Sequence, residues 1–371
     1  MSMQAVDTTE MLVQDEIVQQ LQHSILQSRS PVQPVGNRTK SALIDANACQ
    51  LDTGGLAGIV TYDPSEFLIT AKCGTPMAEL CQQLGKNGQF LPFDPLFIHQ
   101  GSTLGGTIAS GLSGPDRLLY GGVRDFVMEV AMLDGLAKIV RGGGKVVKNA
   151  AGFDSPKMMV GSYGRMGVLL EATLKVFPTP QSYSTLLVQH QSIDSAVQTI
   201  QRVLQKPLPI CSVVIDPNHA VSLRVAGPVT SLPSVIRRIQ SLLDGSLDTQ
   251  VFEDDTEPRS NLISWLQMPL EPDQLLVRIV SSSKQLVLLD RLLSRLETTC
   301  YQHCGAGSIT WLKLSSAVLD QLDDQLRSLS MSAVVVRGQS HKTFAGDVGW
   351  LRLASNVQQA IDPERRFVAW N

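Results

Sequence analysis

The stretch GSTLGGTIASGLSGPDRLLYGG, residues 101–122, constrains the fold more than any other part of the sequence, since seven of its 22 residues are glycine. Glycine reaches positive φ and lets another group approach where a Cβ would block it. A run this dense predicts main-chain N–H groups that wrap an anion or a flat ligand. A turn-rich surface loop is the simpler alternative. A second glycine cluster, GSYGRMG at 161–167, and the apolar pattern at 126–133 favour the ligand-binding interpretation.

The chain length, net charge and cysteine spacing limit the classes of protein to which the sequence can belong. The chain has 371 residues, which is enough for two domains with separate cores. The net charge is −3, and no run of Lys or Arg is present, so the sequence indicates neither nucleic-acid binding nor an anionic membrane partner. The six cysteines lack paired metal-ligand spacing, which is typical of reduced, cytosolic thiols.

The first thirty residues predict one amphipathic helix. They contain no uninterrupted apolar segment, so we expect a cytoplasmic protein with neither a secretory signal nor direct membrane insertion. Apolar residues recur at helical spacing from Thr9, a candidate cap, to Gln27. The helix is expected to pack on the body of the protein, and docking on a partner subunit is the alternative.

Residues 31–180 predict strands, a capped helix and glycine loops in alternation. The segment PVQPVGNRTK at 31–40 is a short extended piece followed by a basic turn that could hold a phosphate. Strands are expected at 42–50, 58–62, 67–73 and 167–177, a helix at 75–85, and a hairpin at 124–142 around Asp134-Gly135. The Pro-Thr-Pro at 178–180 marks the predicted domain boundary.

The second half, 181–371, alternates strand and helix patterns. Six strands are predicted at 185–190, 213–215, 221–225, 275–280, 308–314 and 333–336, and five helices at 193–204, 232–243, 262–266, 285–296 and 317–329. Strands with helices on one face favour a split βαβ, ferredoxin-like α+β domain.

Five motifs in order carry a resemblance to a known family. They are VGNRTK, GSTLGGTIASGLSGP, YGGVRDFV, GGKVVKNAAGFD and GSYGRMGVLLEATLKVFPTP. Together they resemble the PCMH-type FAD-binding domain of the vanillyl-alcohol-oxidase flavoprotein family, and within it most closely the FAD-binding E subunits of glycolate oxidases. The resemblance covers about residues 31–180. It implies an α+β fold in which a two-subdomain FAD-binding domain is followed by a cap domain at 181–371, whose C-terminal tail returns to the flavin domain.

The resemblance also implies FAD-binding residues. Three segments match the family's pyrophosphate loop, the loop beside the diphosphate and flavin, and the turn near the adenine. The matching residues are Gly36, Asn37, Arg38, Thr39 and Lys40, then Gly101, Ser102, Thr103, Gly105, Gly106 and Ala109, and finally Gly164, Gly167 and Val168. The family's first loop usually has three adjacent glycines and here has only Gly36. It contains no His or Cys, so non-covalent FAD is expected, and His99 is the only nearby alternative for covalent attachment.

Catalytic residues are less clearly marked. Catalytic relatives that oxidise D-2-hydroxy acids carry a His-rich metal motif in the cap, and the nearest remnant here is HCGAG at 303–307, so no metal site is expected. Cys300 and Cys304 would share a helix face, but buried apolar roles are the simpler interpretation. Arg117 and Lys148 are the cations within the flavin motifs, and either could lie near the isoalloxazine or serve as a surface ion-pair partner.

Three functions follow from the resemblance. The first is the FAD-binding subunit of a glycolate oxidase or dehydrogenase complex, beside a larger flavoprotein subunit and an iron–sulfur subunit, with a small 2-hydroxy acid as substrate and any membrane association through the partners. The second is a self-sufficient FAD-dependent D-2-hydroxy acid dehydrogenase. The third is an assembly subunit without catalytic activity that kept the fold.

Overall fold

The computed structural model describes residues 8–144, 154–245, 247–253, 256–296 and 300–370, which form a mixed structure of helices and sheets. No helix in these ranges is long and apolar enough to cross a membrane. The helices are α1 (Thr8–Gln14), α2 (Glu16–Gln27), α3 (Met77–Gly85), α4 (Leu104–Ser110), α5 (Arg117–Tyr120), α6 (Ser155–Met159), α7 (Ile193–Leu204), α8 (Leu232–Gln240), α9 (Thr256–Gln267), α10 (Leu286–Arg295), α11 (Leu319–Ser328) and α12 (Leu351–Ile361).

The strands fall into two pairs and two larger sheets. They are β1 (Val32–Val35), β2 (Cys49–Asp52), β3 (Ile59–Asp63), β4 (Leu68–Lys72), β5 (Gln89–Phe90), β6 (Val127–Leu133), β7 (Ile139–Gly143), β8 (Val168–Lys175), β9 (Phe177–Pro178), β10 (Ser182–Val188), β11 (Ile210–Ile215), β12 (Val221–Gly227), β13 (Thr249–Phe252), β14 (Gln274–Val280), β15 (Tyr301–Cys304), β16 (Ile309–Ser315), β17 (Ser332–Arg337) and β18 (Phe344–Gly346). We refer to residues 8–180 as the N-terminal region and to residues 181–370 as the C-terminal region.

The N-terminal segment forms two helices where the sequence predicted one. The chain breaks at Asp15, whose carboxylate accepts hydrogen bonds from the backbone N–H groups of Ile17 and Val18 and so caps α2. One apolar face of the two helices, with Leu12, Val18, Leu21 and Ile25, is buried in one cluster with β1, β6 and β8. Packing on the body of the protein is therefore confirmed for this segment.

A five-stranded antiparallel sheet organises the N-terminal region, in the order β3-β4-β8-β6-β7. The predicted hairpin is confirmed as β6 and β7. The strand predicted at 42–50 is wrong over most of its length, since Ser41–Leu43 is a 3-10 turn and only β2 is extended. The Gln33 side chain holds this turn by donating to the Leu43 carbonyl and accepting from the Asp45 N–H, each at 2.8 Å.

Part of the glycine stretch forms the helix α4, where the sequence predicted a glycine-rich loop. Thr103 caps α4 by accepting a hydrogen bond from the Gly106 N–H at 3.2 Å. The Gly105 N–H donates to the Cys73 carbonyl at 2.7 Å, and a Cβ on Gly105 would lie 3.0 Å from that oxygen. Glycine at 105 therefore lets α4 approach the end of β4.

The C-terminal region is built on a nine-stranded antiparallel sheet in the order β13-β10-β12-β11-β15-β16-β14-β17-β18. Two successive units with the element order β-α-β-β-α-β make up eight of these strands, β10 to β13 and β14 to β17. Within the sheet, the units are joined by two residue pairs between β11 and β15. Helices α7, α8, α10 and α11 pack on one face, with apolar residues of each unit's strands beneath them.

Short elements account for what the sequence patterns missed here. All six predicted strands and all five predicted helices are present. Helix α7 has the predicted bounds, and the other elements are shifted at one or both ends. Strands β13, β15 and β18 have three or four residues each, too few for alternation to show, and α12 was not predicted.

The C-terminal tail runs beside the N-terminal region. The Val32 N–H donates to the Arg366 carbonyl at 2.7 Å, and the Val368 N–H donates to the Val32 carbonyl at 3.2 Å. Phe367 is buried in the same cluster as α2 and β8. The tail at 366–368 therefore packs against α2, β1 and β8.

Candidate functional site

Three segments of the N-terminal region enclose an open groove with about 480 Å³ of empty space. They are residues 33–44, the α4 segment and the turn at 163–164. The predicted residues that line the groove are Gly36, Asn37, Arg38, Thr39, Lys40, Thr103, Gly106, Ala109 and Gly164. The structure thus brings together residues from all three segments that the sequence singled out.

Close backbone approaches shape the groove. A Cβ on Gly36 would lie 2.5 Å from Thr103 Oγ1, so the first segment and the start of α4 can touch only with glycine at 36. Gly164 has φ +71°, and a Cβ there would lie 3.2 Å from the Pro34 ring. These two glycines set the width of the groove on both sides of β1.

Lys40 supplies a buried charge in the groove. Its side chain is 7% exposed, with Nζ 3.3 Å from Thr39 Oγ1 and 5.6 Å from the centre of the Phe97 ring. No carboxylate in the described part of the chain pairs with it. Burial lowers the pKa of Lys40 to about 8, so the ammonium is still mostly charged at neutral pH. A buried charge without a counter-charge is costly, and an anionic ligand would relieve that cost.

Five predicted residues do not line the groove but support it. Ser102 is buried, and its hydroxyl donates to the Leu96 carbonyl at 2.9 Å. The Gly101 carbonyl accepts a 2.8 Å hydrogen bond from the Asn37 side chain. Gly105 lies against β4 as described above, and Gly167 and Val168 are packed at the start of β8, where a Cβ on Gly167 would lie 2.6 Å from the Leu133 carbonyl oxygen.

Sequence reasoning missed part of the lining. The additional residues are Gln33, Pro34, Val35, Leu43, Ile44, Ser110 and Tyr163. Gln33 could not be found from motifs because its role is to hold backbone, with its amide donating to the carbonyls of Leu43 and Tyr163. Tyr163 lies inside the second glycine cluster, and its position there was the available signal.

Of the two candidate catalytic cations, Arg117 and Lys148, the structure describes only Arg117. Arg117 lies at the start of α5, with Nη2 3.4 Å from where a Cβ on Gly122 would stand, and it interacts electrostatically with Arg278 of β14. Lys148 lies outside the described residues. His99 is exposed and does not line the groove.

The remnant of the metal motif spans the end of β15 and the turn after it, which corrects the expected placement of Cys300 and Cys304 on a helix end. Cys304 is buried and Cys300 is exposed. His303 is fully buried, with Nδ1 2.7 Å from Thr310 Oγ1 and Nε2 3.3 Å from Asp290 Oδ1. Within the described ranges no group of three His, Cys, Asp or Glu side chains is arranged to hold a metal ion.

A second cavity lies where the two regions meet. It is a crevice with about 1900 Å³ of empty space between residues 41–47 and the segments 269–274 and 337–343. Arg165 and Arg337 are among its lining residues. Arg165 is buried, its guanidinium lying 5.5 Å from the ring centres of Phe344 and Trp370.

Comparison with known proteins finds a family match in the first part of the chain. Residues 14–143 match the family described as FAD binding domain. Glycolate oxidase subunit GlcE of Escherichia coli K12 is 42% identical over 177 residues, which are 48% of this chain and 50% of that protein. Glycolate oxidase subunit GlcD of Bacillus subtilis is 31% identical over 183 residues, 47% of this chain and 38% of that protein.

Two further similarities extend the comparison. D-lactate dehydrogenase of Anaerostipes hadrus is 28% identical over 177 residues, 47% of this chain and 37% of that protein. The chain spans half the length or less of these curated relatives. An alkyldihydroxyacetonephosphate synthase structure matches with a TM-score of 0.68 and 17% identity over 96% of this chain and 74% of that one, which shows a shared fold. Residues 14–143 are therefore similar to the FAD binding domain family, and the chain as a whole shares its fold with the synthase.

Proposed function

We propose that this chain is the FAD-binding subunit of a flavin-dependent complex that oxidises a 2-hydroxy acid such as glycolate. The observation that carries the proposal is the groove around Lys40. FAD contains a diphosphate, and Lys40 is a buried cation with no carboxylate partner among the described residues. The glycines at 36 and 106 leave backbone open beside this ammonium, and Lys40 Nζ is 3.9 Å from where a Cβ on Gly106 would stand.

The residues of the groove have distinct proposed roles. Lys40 and the backbone of residues 36–39 hold the diphosphate beside the start of α4, and the turn at Gly164 lies toward the adenine. Gly101, Ser102, Gly105, Gly167 and Val168 position these segments through the packing described above. We propose non-covalent attachment because the described groove lining contains neither Cys nor His. When bound, FAD supplies the two-electron acceptor for the oxidation.

The proposed complex follows from what the chain resembles. Its relatives include proteins named as two different glycolate oxidase subunits, and the similarity covers about half of this chain. We propose a larger flavoprotein subunit and an iron–sulfur subunit as partners, in the cytoplasm, with any membrane association through those partners.

The proposed domain organisation assigns FAD binding to residues 31–180 and a cap to residues 181–371, with residues 1–30 as an N-terminal helical brace. Each β-α-β-β-α-β unit of the large sheet has its fourth strand beside its first and its third beside its second, which is the order of a ferredoxin-like unit. This order supports a cap made of two ferredoxin-like units.

A visible spectrum of the purified chain tests the cofactor. Bound FAD absorbs at about 450 nm. We expect one FAD per chain in the wild-type protein and little bound FAD in Lys40→Met. A wild-type protein that is folded but takes up no FAD would contradict the proposal and favour an assembly subunit.

Anaerobic addition of glycolate or D-lactate then tests the subunit assignment. We expect no bleaching in the isolated chain and bleaching when the companion subunits co-purified from the native host are present. Bleaching of the isolated chain by either acid would instead show a self-sufficient dehydrogenase.

A further inference from the structure

The face of the large sheet that is turned toward the N-terminal region carries three cations in its second unit. Arg278 of β14 pairs directly with Trp311 of β16 and Val334 of β17. Directly opposed residues in antiparallel strands share a face. Trp311 and Val334 are buried in clusters that contain residues of the N-terminal region, so Arg278 lies on the interface side of the sheet.

Lys313 and Arg337 complete the group around Leu276. Both are register partners of Leu276, Lys313 from β16 and Arg337 from β17. Neighbouring strands lie about 4.8 Å apart, and residues two apart on a strand about 7 Å, so the three Cα atoms surround a small patch. Lys313 Nζ lies 5.0 Å from the centre of the Trp265 ring, and the Arg337 guanidinium 5.5 Å from that of Phe97. We call Arg278, Lys313 and Arg337 the interface cation cluster.

No carboxylate balances this cluster within the part of the chain that the structure describes. The three side chains form no ion pair there, and the one hydrogen bond among them is a 3.5 Å contact from Arg337 Nη1 to the Met268 carbonyl. Burial lowers the pKa of all three, and the nearby Arg117 guanidinium lowers that of Arg278 further. Partly desolvated like charges held close together are unfavourable unless an anion joins them.

The cluster lies between the two cavities. Arg337 lines the 1900 Å³ crevice, and Val334, the register partner of Arg278, is buried in a cluster against which Tyr163 of the 480 Å³ groove packs. Arg117, on the N-terminal side of the same interface, is also close enough to interact with Arg278. A ligand at the cluster would therefore stand next to whatever occupies the groove.

We propose that the interface cation cluster, together with Arg117, is a binding site for the carboxylate of a small organic acid. Guanidinium groups match carboxylates in a planar, two-bond geometry, and two arginines facing each other can hold both oxygens. That the acid is a 2-hydroxy acid rests on the proposed function, whereas the anion site rests on the cluster alone. The site places acid binding on this chain and not only on a partner subunit.

Calorimetric titration of the FAD-containing protein with oxalate tests the site. Oxalate has the carboxylates but no hydrogen on carbon to lose, so binding is measured without turnover. We expect saturable binding to wild type, binding at least about tenfold weaker in Arg278→Gln and in Arg337→Gln, and an intermediate effect in Arg278→Lys, because a charged hydrogen bond contributes about 1.5–3 kcal/mol. Arg291→Gln is the matched control, since Arg291 is exposed and pairs with Asp194 on the helix side.

For every variant, absorbance at about 450 nm reports bound FAD and thermal unfolding reports stability. These two measurements distinguish a loss of the anion site from a loss of FAD or of the fold. We expect Arg278→Gln to keep its FAD and to be at least as stable as wild type, which a merely structural arginine would not allow. Wild-type protein that holds FAD but does not bind oxalate, or Arg278→Gln and Arg337→Gln proteins that bind it like wild type, would overturn the site. If wild-type protein takes up no FAD but still binds oxalate through Arg278, only the proposed function is overturned and the anion site stands.

Discussion

The two units of the large sheet meet the N-terminal region with opposite electrostatics. In the first unit Arg224 lies 2.5 Å from Asp116, and Arg259, from the α9 connection, lies 2.5 Å from Asp94 and 3.5 Å from Asp116. In the second unit the interface cation cluster has no carboxylate partner among the described residues. The buried cations of the first interface are therefore paired within the chain, whereas a bound anion would stabilise the second interface.

This difference separates holding the regions together from binding a ligand. Buried ion pairs across a boundary fix its geometry because breaking one leaves an uncompensated charge. Unpaired buried cations, such as Lys40 and Arg278, lower stability in the absence of a ligand and are favourable only with one. Removing a charge should therefore lower the free energy of unfolding at the paired positions and leave it unchanged or raise it at the unpaired ones.

The largest effect is expected for Asp116→Asn, which removes the shared partner of Arg224 and Arg259. We expect the free energy of unfolding to fall by about 3–5 kcal/mol, as when one member of a buried pair is lost. Urea unfolding followed by circular dichroism measures it. Asp194→Asn, at an exposed pair, should change the value by less than about 0.5 kcal/mol, and equal losses in the two variants would remove the contrast.

Lys40→Met should stabilise the FAD-free protein. The folded chain holds the pKa of Lys40 at about 8, below its ordinary value of 10.5, so keeping the charge costs about 3 kcal/mol at pH 7. We expect a gain in unfolding free energy approaching that size. A loss of stability would show that the ammonium already has a partner.

The pH dependence of the same protein gives an independent check. Between about pH 8 and 10.5 the folded chain has released the Lys40 proton while the unfolded chain still binds it. The cost is full below pH 8 and disappears as the pH rises through this window, so the stability of wild type should approach that of Lys40→Met. A constant difference between the two proteins from pH 7 to pH 10 would argue against a depressed lysine pKa.

Arg278→Met should have the smallest effect on stability and the sign opposite to Asp116→Asn. The substitution removes a partly buried charge that no described carboxylate balances, so we expect an unchanged free energy of unfolding or a gain of about 1 kcal/mol. Urea unfolding in oxalate-free buffer measures it. A loss comparable to that of Asp116→Asn would show that the two interfaces do not differ.

Local patterns predicted most of the fold, and close contacts account for what they missed. Periodicity located α7 and the β6–β7 hairpin because each has many residues facing one core. It did not show that Asp15 divides the first helix, because a cap is a single hydrogen-bonded side chain. The motifs named nine residues of the groove lining, but not that Ser102 turns inward to the Leu96 carbonyl.

The interface cation cluster was out of reach of sequence reasoning. Arg278, Lys313 and Arg337 stand on three strands, and only the register of β14 with β16 and β17 brings them to one face. In the sequence each resembles an ordinary surface cation. Their lack of a counter-charge is a property of the packed interface and leaves no local pattern.

FAD binding to wild type and to Lys40→Met, measured together by fluorescence titration of FAD-free protein at pH 7, tests the central claim most directly. We predict tight binding to wild type and binding weakened at least about tenfold in Lys40→Met, although that variant is the more stable protein. Equal FAD affinity in the two proteins would contradict the claim that Lys40 is the buried cation that holds the cofactor's diphosphate.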